Sequence, residues 1–252
     1  MKIVLLGSGN VATHLGKALK AAGHEIIQVW SRTLDNAKVL AQNLQSDFIN
    51  DLSQINPQAE IYLIAVSDDA IRQVAADFPF KDKILAHTSG TSELAIPEIS
   101  GVFYPLQTFS KQKQVDFSII PIIIEANNSL IAGMLETLAK SLSSKVIQLN
   151  SEQRKALHIA AVFACNFSNH LYAIANTILK KNNLEFDLIK PLIAETAEKI
   201  QQNLPASVQT GPAVRNDKLT INKHLEFLKN DVLLKEIYER LSQSIINFSQ
   251  KA

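Results

Sequence analysis

Apolar runs of a few residues alternate with stretches of helical periodicity over the first 150 residues of the chain. Ile3–Leu6 predicts a buried strand. Val11–Ala22, apolar at Val11, Leu15, Ala18 and Leu19 and stopped by Gly23, predicts a helix. Glu25–Trp30 predicts a second strand, followed by a helix to about Leu44, a short strand at Phe48–Ile49 and a continuous apolar strand at Ile61–Val66. Asp68 or Asp69 is expected to cap a helix running to about Phe78. Further strands are predicted at Ile84–Ala86, Gly101–Tyr104, Ile119–Glu125 and Lys145–Leu149, the last two flanking a helix at about Ser129–Leu142. Strand–helix alternation of this kind implies an α/β fold with a doubly wound, mostly parallel sheet.

After Leu149 the pattern is helical to the end. Asn150 with Gln153 has the spacing of a capping box, and a helix is predicted from about Ser151 to Lys181. Its middle, Ile159 to Phe167, is apolar or small on nearly every side, which predicts burial in a helical core or at a subunit interface. Helices also fit about Leu188–Asn203, Thr220–Lys229 and Asp231–Phe248, with a loop at Leu204–Asn216. The chain therefore divides into an α/β domain over residues 1–150 and an all-α domain over residues 151–252.

Composition narrows the function classes. A net charge of +1 supplies no general field for nucleic acid or an anionic membrane. The single cysteine, Cys165, rules out an internal disulfide framework and fits a reducing, cytoplasmic setting. The apolar run before Gly7 is too short for a secretory signal, and Pro121 interrupts the run at Ile119–Ile124, so no membrane span is expected.

Gly7-Ser8-Gly9-Asn10-Val11-Ala12 follows the first strand and opens the first helix, which is the required setting of a G-x-G-x-x-G/A dinucleotide turn. Gly7 permits the tight turn, Gly9 leaves room for a pyrophosphate at the backbone, and Ala12 allows close helix–strand packing. The helix N-terminus offers free N–H groups to phosphate. The first domain is thus expected to be of Rossmann type; the alternative is a similar turn that binds nothing.

The second strand ends Val29-Trp30-Ser31-Arg32-Thr33. An NAD site ordinarily carries an acid there for the ribose hydroxyl. Ser31, Arg32 and Thr33, with Lys38 behind them, instead suit a 2′-phosphate, so the expected cofactor is NADP. Arg32 is otherwise an ordinary surface arginine, and Asp35 stands three residues too late for the ribose acid. Because ligands sit beyond the carboxyl ends of parallel strands, Val66, Ser67 and Asp68 are placed near the ribose, and His87 and Ser89 near the nicotinamide.

These features resemble the pyrroline-5-carboxylate reductase and β-hydroxyacid dehydrogenase group. More closely, the chain resembles a bacterial family of Rossmann-like NADP oxidoreductases with a C-terminal domain of unknown function. The segments that carry this likeness are 87–90 (HTSG), 104–109 (YPLQTF), 158–170 (HIAAVFACNFSNH) and 209–217 (QTGPAVRND). The resemblance implies an NADP cofactor, an all-helical second domain, a small-molecule substrate and a homodimer. Two departures matter: Tyr104 stands where the family's pattern has histidine, and Val162 stands four residues before Asn166, where the dehydrogenases carry a lysine.

Hydride reduction of C=O or C=N needs a proton donor and groups that orient the substrate. On a helical wheel His158, Cys165 and Asn169 lie within about 20° of one line, and Asn166 lies about 80° from His158. His158 is the preferred donor, with Asn166 and Asn169 as substrate ligands and Tyr104 as a weaker candidate for the proton. Arg215 is a candidate carboxylate ligand; its alternative is an Arg215–Asp217 pair that fixes the loop. His158 and the asparagines have the alternative of being satisfied polar groups between helices. His170 and His224 read as structural, Cys165 as packing, and no catalytic metal is expected. A protein that binds NADP without turnover, and a bare scaffold, are the other functional readings.

Overall fold

The computed structural model describes residues 1–94, 101–110 and 113–249. The chain separates into two compact units, Met1–Cys165 and Asn166–Ala252.

The first unit is built on one sheet. β1 (Lys2–Leu6) is followed by α1 (Asn10–Ala21), β2 (Glu25–Trp30), α2 (Leu34–Leu44) and β3 (Asp47–Ile49). Then come β4 (Ile61–Ile64), α3 (Asp68–Ala76), β5 (Ile84–His87) and β6 (Gly101–Pro105). β7 (Ile122–Ala126), α4 (Ser129–Lys140), β8 (Val146–Gln148) and α5 (Ser151–Ala161) complete it. The eight strands lie in the order β3-β2-β1-β4-β5-β6-β7-β8. All neighbours are parallel except β6 and β7, so the sheet is doubly wound and mostly parallel, as the periodicity predicts.

Alternation along the strands feeds two layers of core. Ile3 and Leu5 of β1 meet Leu15 and Leu19 of α1 and Leu40 and Leu44 of α2 on one face. Val4 and Leu6 join Tyr62 and Ile64 of β4 with Ile71 and Val74 of α3 on the other. Every apolar side chain of β1 is fully buried, as a strand covered on both faces requires. A smaller cluster of Val102, Tyr104 and Ile123 takes in Leu157 of α5.

The boundaries differ from the expected ones where local chemistry intervenes. Ser67, not Asp68 or Asp69, is the N-cap of α3, and it makes no side-chain cap bond; both aspartates fall in the first turn. Residues Phe117–Ile119 form a 3-10 turn capped by Asp116, and β7 starts at Ile122, after Pro121, whose missing N–H cannot join the ladder. The capping box at Asn150 and Gln153 forms in full.

The largest departure is in the stretch 151–181. It is α-helical only to Ala161, turns as a π-helix over Val162–Phe167, and resumes as α6 (Ser168–Lys181). A π turn takes more residues per revolution, so the constant 100° step fails across it. The wheel alignment of His158 with Cys165 and Asn169 therefore does not hold. Nor is the segment buried within this chain: Ile159 is 55% exposed, and no residue of Val162–Phe167 is buried.

Beyond α6 the second unit holds a 3-10 turn (Phe186–Ile189), α7 (Lys190–Gln202), a second 3-10 turn (Pro205–Val208), α8 (Lys218–Phe227) and α9 (Val232–Ser249). Asp217 caps α8 through Thr220. Among the described residues no helix is long and apolar enough to cross a membrane.

Candidate active site

The carboxyl ends of β1, β2, β4, β5 and β6 share one edge of the sheet, because these strands are parallel. Gly7–Val11, Ser31–Thr33, Val66–Asp68 and His87–Ser89 all lie on that edge. Gly7 has φ +135°, and a Cβ there would lie 2.2 Å from the Ala65 carbonyl oxygen, so only glycine fits between β1 and β4. Gly9 is different. Its φ is −75°, open to any residue, and a Cβ there would meet nothing within 4 Å. Among the described residues nothing packs against this position, so glycine there leaves the space beside the turn open.

Gly9 is the N-cap of α1 and supplies no side-chain cap, whereas the starts of α4, α5 and α8 are each closed by Asn128, Asn150 or Asp217. α1, like α2 and α3, thus starts without a side-chain cap, and free N–H groups at a helix start suit an anion. Ser8 Oγ donates to Ser31 Oγ at 2.9 Å, which ties the glycine turn to the end of β2. Arg32 and Thr33 are exposed beside it. Asn10 Nδ2 donates to the Phe109 carbonyl and His14 Nε2 lies 2.8 Å from the Ser110 carbonyl, so α1 also holds the segment that follows β6. These residues fit a dinucleotide phosphate cradle.

The loop after β5 is pinned from several sides. Thr88 Oγ1 donates to Ile64 O, and Ser89 Oγ accepts from the backbone N–H groups of Thr91 and Ser92. The Thr91 hydroxyl donates to Asp68. His87 is fully buried, and its Nδ1 accepts from Ser89 N at 3.2 Å. Over this loop the Tyr104 Oη lies 3.0 Å from His158 Nδ1. A Cβ on Gly90 would lie 2.5 Å from that same Nδ1 and 2.9 Å from Tyr104 Cζ. Gly90 is therefore the floor on which the pair rests. Burial raises the Tyr104 pKa above 10.0, with the Arg154 charge opposing, so the phenol keeps its proton through neutral pH.

Two residues that organise this site escape a reading of the sequence. Arg154 of α5 has no exposed surface. Its Nε and Nη2 donate to Glu125 Oε2 at 3.2 and 2.9 Å, and its Nη1 donates to the Ser89 carbonyl at 3.1 Å. Ser151 Oγ accepts from Nη2 and donates to Glu125. The signal was present in Ile122-Ile123-Ile124-Glu125, where one carboxylate ends an apolar strand, but the neighbouring Lys155 hides Arg154 in a charged run.

Of the residues selected from the sequence, Tyr104 and His158 are brought together. Asn166, Asn169 and Arg215 belong to the second unit and carry exposed side chains. Asp217 is engaged with Thr220, and among the described residues Arg215 makes no ion pair with it. Among the described residues no group of three or more metal-binding side chains gathers.

Comparison with known proteins fits this architecture. Residues 2–89 match the family model described as NADP oxidoreductase, coenzyme F420-dependent, and residues 120–245 match the domain of unknown function DUF2520. A Bacteroides fragilis protein designated an NADP oxidoreductase is 43% identical over 98% of each chain, with a TM-score of 0.89. The chain belongs to this family of NADP oxidoreductases with a DUF2520 C-terminal domain, and the family's cofactor is NADP. A pyrroline-5-carboxylate reductase from Streptococcus pyogenes is 13% identical over 100% of this chain and 99% of its own, with a TM-score of 0.64. An imine reductase from Myxococcus stipitatus, solved with NADP+, is 15% identical over 100% and 94%, with a TM-score of 0.66. At those identities the likeness is one of fold. No curated protein matches the chain.

The buried His87 gives the fold a dependence on acid. Desolvation, with the Arg154 charge second, lowers its pKa from 6.5 to about 4. Between those values the unfolded chain binds the proton and the folded chain does not. The contribution is fully present above pH 6.5 and is lost as pH falls toward about 4. Its full size is about 3 kcal/mol. Urea midpoints taken from neutral pH to about 4 should fall more steeply for the native protein than for His87→Asn; parallel curves would refute the assignment.

Proposed function

We propose that the protein is an NADPH-dependent reductase of the C=O or C=N group of a small, carboxylate-bearing metabolite. The observation that carries this reading is the Tyr104–His158 pair, seated on Gly90 at the same sheet edge as the glycine turn. Support for the cofactor comes from the family and from the cradle. Gly7, Ser8, Gly9, Asn10 and Val11 would hold the pyrophosphate, and Ser31, Arg32 and Thr33 the 2′-phosphate. Val66, Ser67 and Asp68 would line the ribose, and His87 and Ser89 the nicotinamide end.

When bound, NADPH supplies the hydride that adds to the substrate carbon. The chain's own task is to place a proton on the heteroatom. Tyr104 holds that proton as a buried phenol, and His158 lies within hydrogen-bonding reach to return one from Nδ1. Asn166 and Asn169, as amides, suit hydrogen bonds to the substrate, and Arg215 suits its carboxylate. Pyrroline-5-carboxylate reductases and imine reductases, which share the fold, motivate C=N as one of the two bonds.

The protein is further read as a homodimer formed through the second unit. Among the described residues of that unit only Ala213 and Ser242 are buried. A folded unit of this size ordinarily hides well over half of its chain surface. Leu192, Leu204, Leu233 and Leu241 are all exposed, and a second copy would cover such faces.

Titration with both nicotinamide cofactors tests the cradle. Arg32→Ala should weaken NADPH by about tenfold or more and leave NADH unchanged. Gly9→Ala should weaken both without moving the urea midpoint. Equal losses for the two cofactors in Arg32→Ala would remove the 2′-phosphate assignment.

Turnover of NADPH with pyruvate and with 1-pyrroline-2-carboxylate tests the chemistry. Tyr104→Phe and His158→Ala should each lower kcat on the order of a hundredfold, with NADPH affinity kept. Arg215→Met should raise KM for these acids and spare neutral imines. Full-rate variants would exclude the pair, and binding without turnover of any probe would favour a non-catalytic NADP sensor.

Sedimentation equilibrium should show a dimer whose unfolding midpoint rises with protein concentration. A monomer with an intact helical second unit would overturn the dimer.

A further inference from the structure

Tyr104 and His158 come from elements distant in sequence, and Gly90 leaves no slack beneath them. A methyl group on Gly90 would already collide with both rings. Something must therefore hold α5 and the loop after β5 at a fixed separation. The Leu157 contact with the Val102, Tyr104 and Ile123 cluster is apolar and does not set a position along the helix. The Lys155–Glu93 ion pair also joins α5 to this loop, at 2.9 Å, but its side chains are 39% and 60% exposed and so contribute little.

The Arg154 guanidinium does set one. It lies one turn before His158, on the same face of α5. Through Nη1 it holds the Ser89 carbonyl, one residue before Gly90. Through Nε and Nη2 it holds Glu125 in β7, the strand paired antiparallel with the strand of Tyr104. Ser151 closes the ring at the start of the helix. Loop, strand and helix are thus registered by one planar group whose donors point in fixed directions.

We infer that the buried Arg154–Glu125 pair is the positioning element of the proton-donor site, clamping α5 to Ser89 and so fixing His158 against Tyr104. The inference rests on the reading of Tyr104–His158 as the proton source. Arg154 acts through those two residues and not on the substrate.

The test uses the full chain and needs no known substrate for its first part. Nitrogen-15 NMR of histidine-labelled protein, with His158 assigned through His158→Gln, reports the hydrogen bond at Nδ1. Tyr104→Phe supplies the shift expected when that bond is gone. Replacing the pair together (Arg154→Met with Glu125→Leu) leaves no unpaired buried charge, a change that folded proteins often tolerate. This double variant should show the Tyr104→Phe shift while binding NADPH as the native protein does. Arg154→Lys keeps the charge but not the fork, and should show the same shift. Lys155→Ala should match the native protein. With 1-pyrroline-2-carboxylate and NADPH, both Arg154 variants should lose kcat on the order of a hundredfold at little change in KM.

A native His158 shift in the double variant overturns the inference. So does a native shift in Arg154→Lys, which would mean that charge alone suffices. Absence of turnover in the native protein would strike the proton-donor reading, while the NMR comparison would still decide whether Arg154 sets the pair.

Discussion

A guanidinium with no exposed surface must find its acceptors inside the protein. Arg154 finds them on three separate pieces of chain: Glu125 at the end of β7, the Ser89 carbonyl in the loop after β5, and Ser151 in the first turn of its own helix. The desolvation of such a pair is costly, and apolar residues of similar size would often serve stability as well. What the pair supplies is direction. A planar fork with fixed donors admits one arrangement of the three pieces, and the arrangement it admits places His158 beside Tyr104.

The glycines on the same edge differ in what the surrounding protein requires of them. Gly7 is required by the protein itself, since any side chain would strike the end of β4. Gly9 has an ordinary backbone conformation, and a Cβ there would meet none of the described residues within 4 Å. Together with the start of α1, which has no side-chain cap, it suits the phosphate cradle proposed for NADP. Gly90 belongs to a third kind, since the space left by its absent side chain is filled by the rings of Tyr104 and His158.

The two units meet the demands of burial differently. The first covers its sheet on both faces and buries every apolar residue of β1. The second leaves leucines open on several helices, and among its described residues only Ala213 and Ser242 are buried. Its helices carry the amphipathic pattern of ordinary core-forming helices, and the proposed homodimer would cover their open faces.

Local periodicity and turn chemistry determined much of this protein before any tertiary structure. Alternating strands and helices, the capping box at Asn150, the stop at Gly23 and the dinucleotide turn at Gly7–Ala12 depend on residues near one another in sequence, and all of them form. The family and its cofactor were legible for the same reason. Three things were decided only by the tertiary structure. The antiparallel pairing of β6 with β7 joins strands whose own sequences carry no sign of direction. The π turn at Val162–Phe167 breaks a periodicity that the apolar pattern presents as continuous, and it cancels the alignment of His158 with Asn169. The meeting of Arg154, Glu125 and Ser89, and through it of Tyr104 and His158, spans residues 29 to 65 positions apart. No local rule relates such residues. The fold brings them within reach, and a buried charge's need for acceptors helps to hold them there.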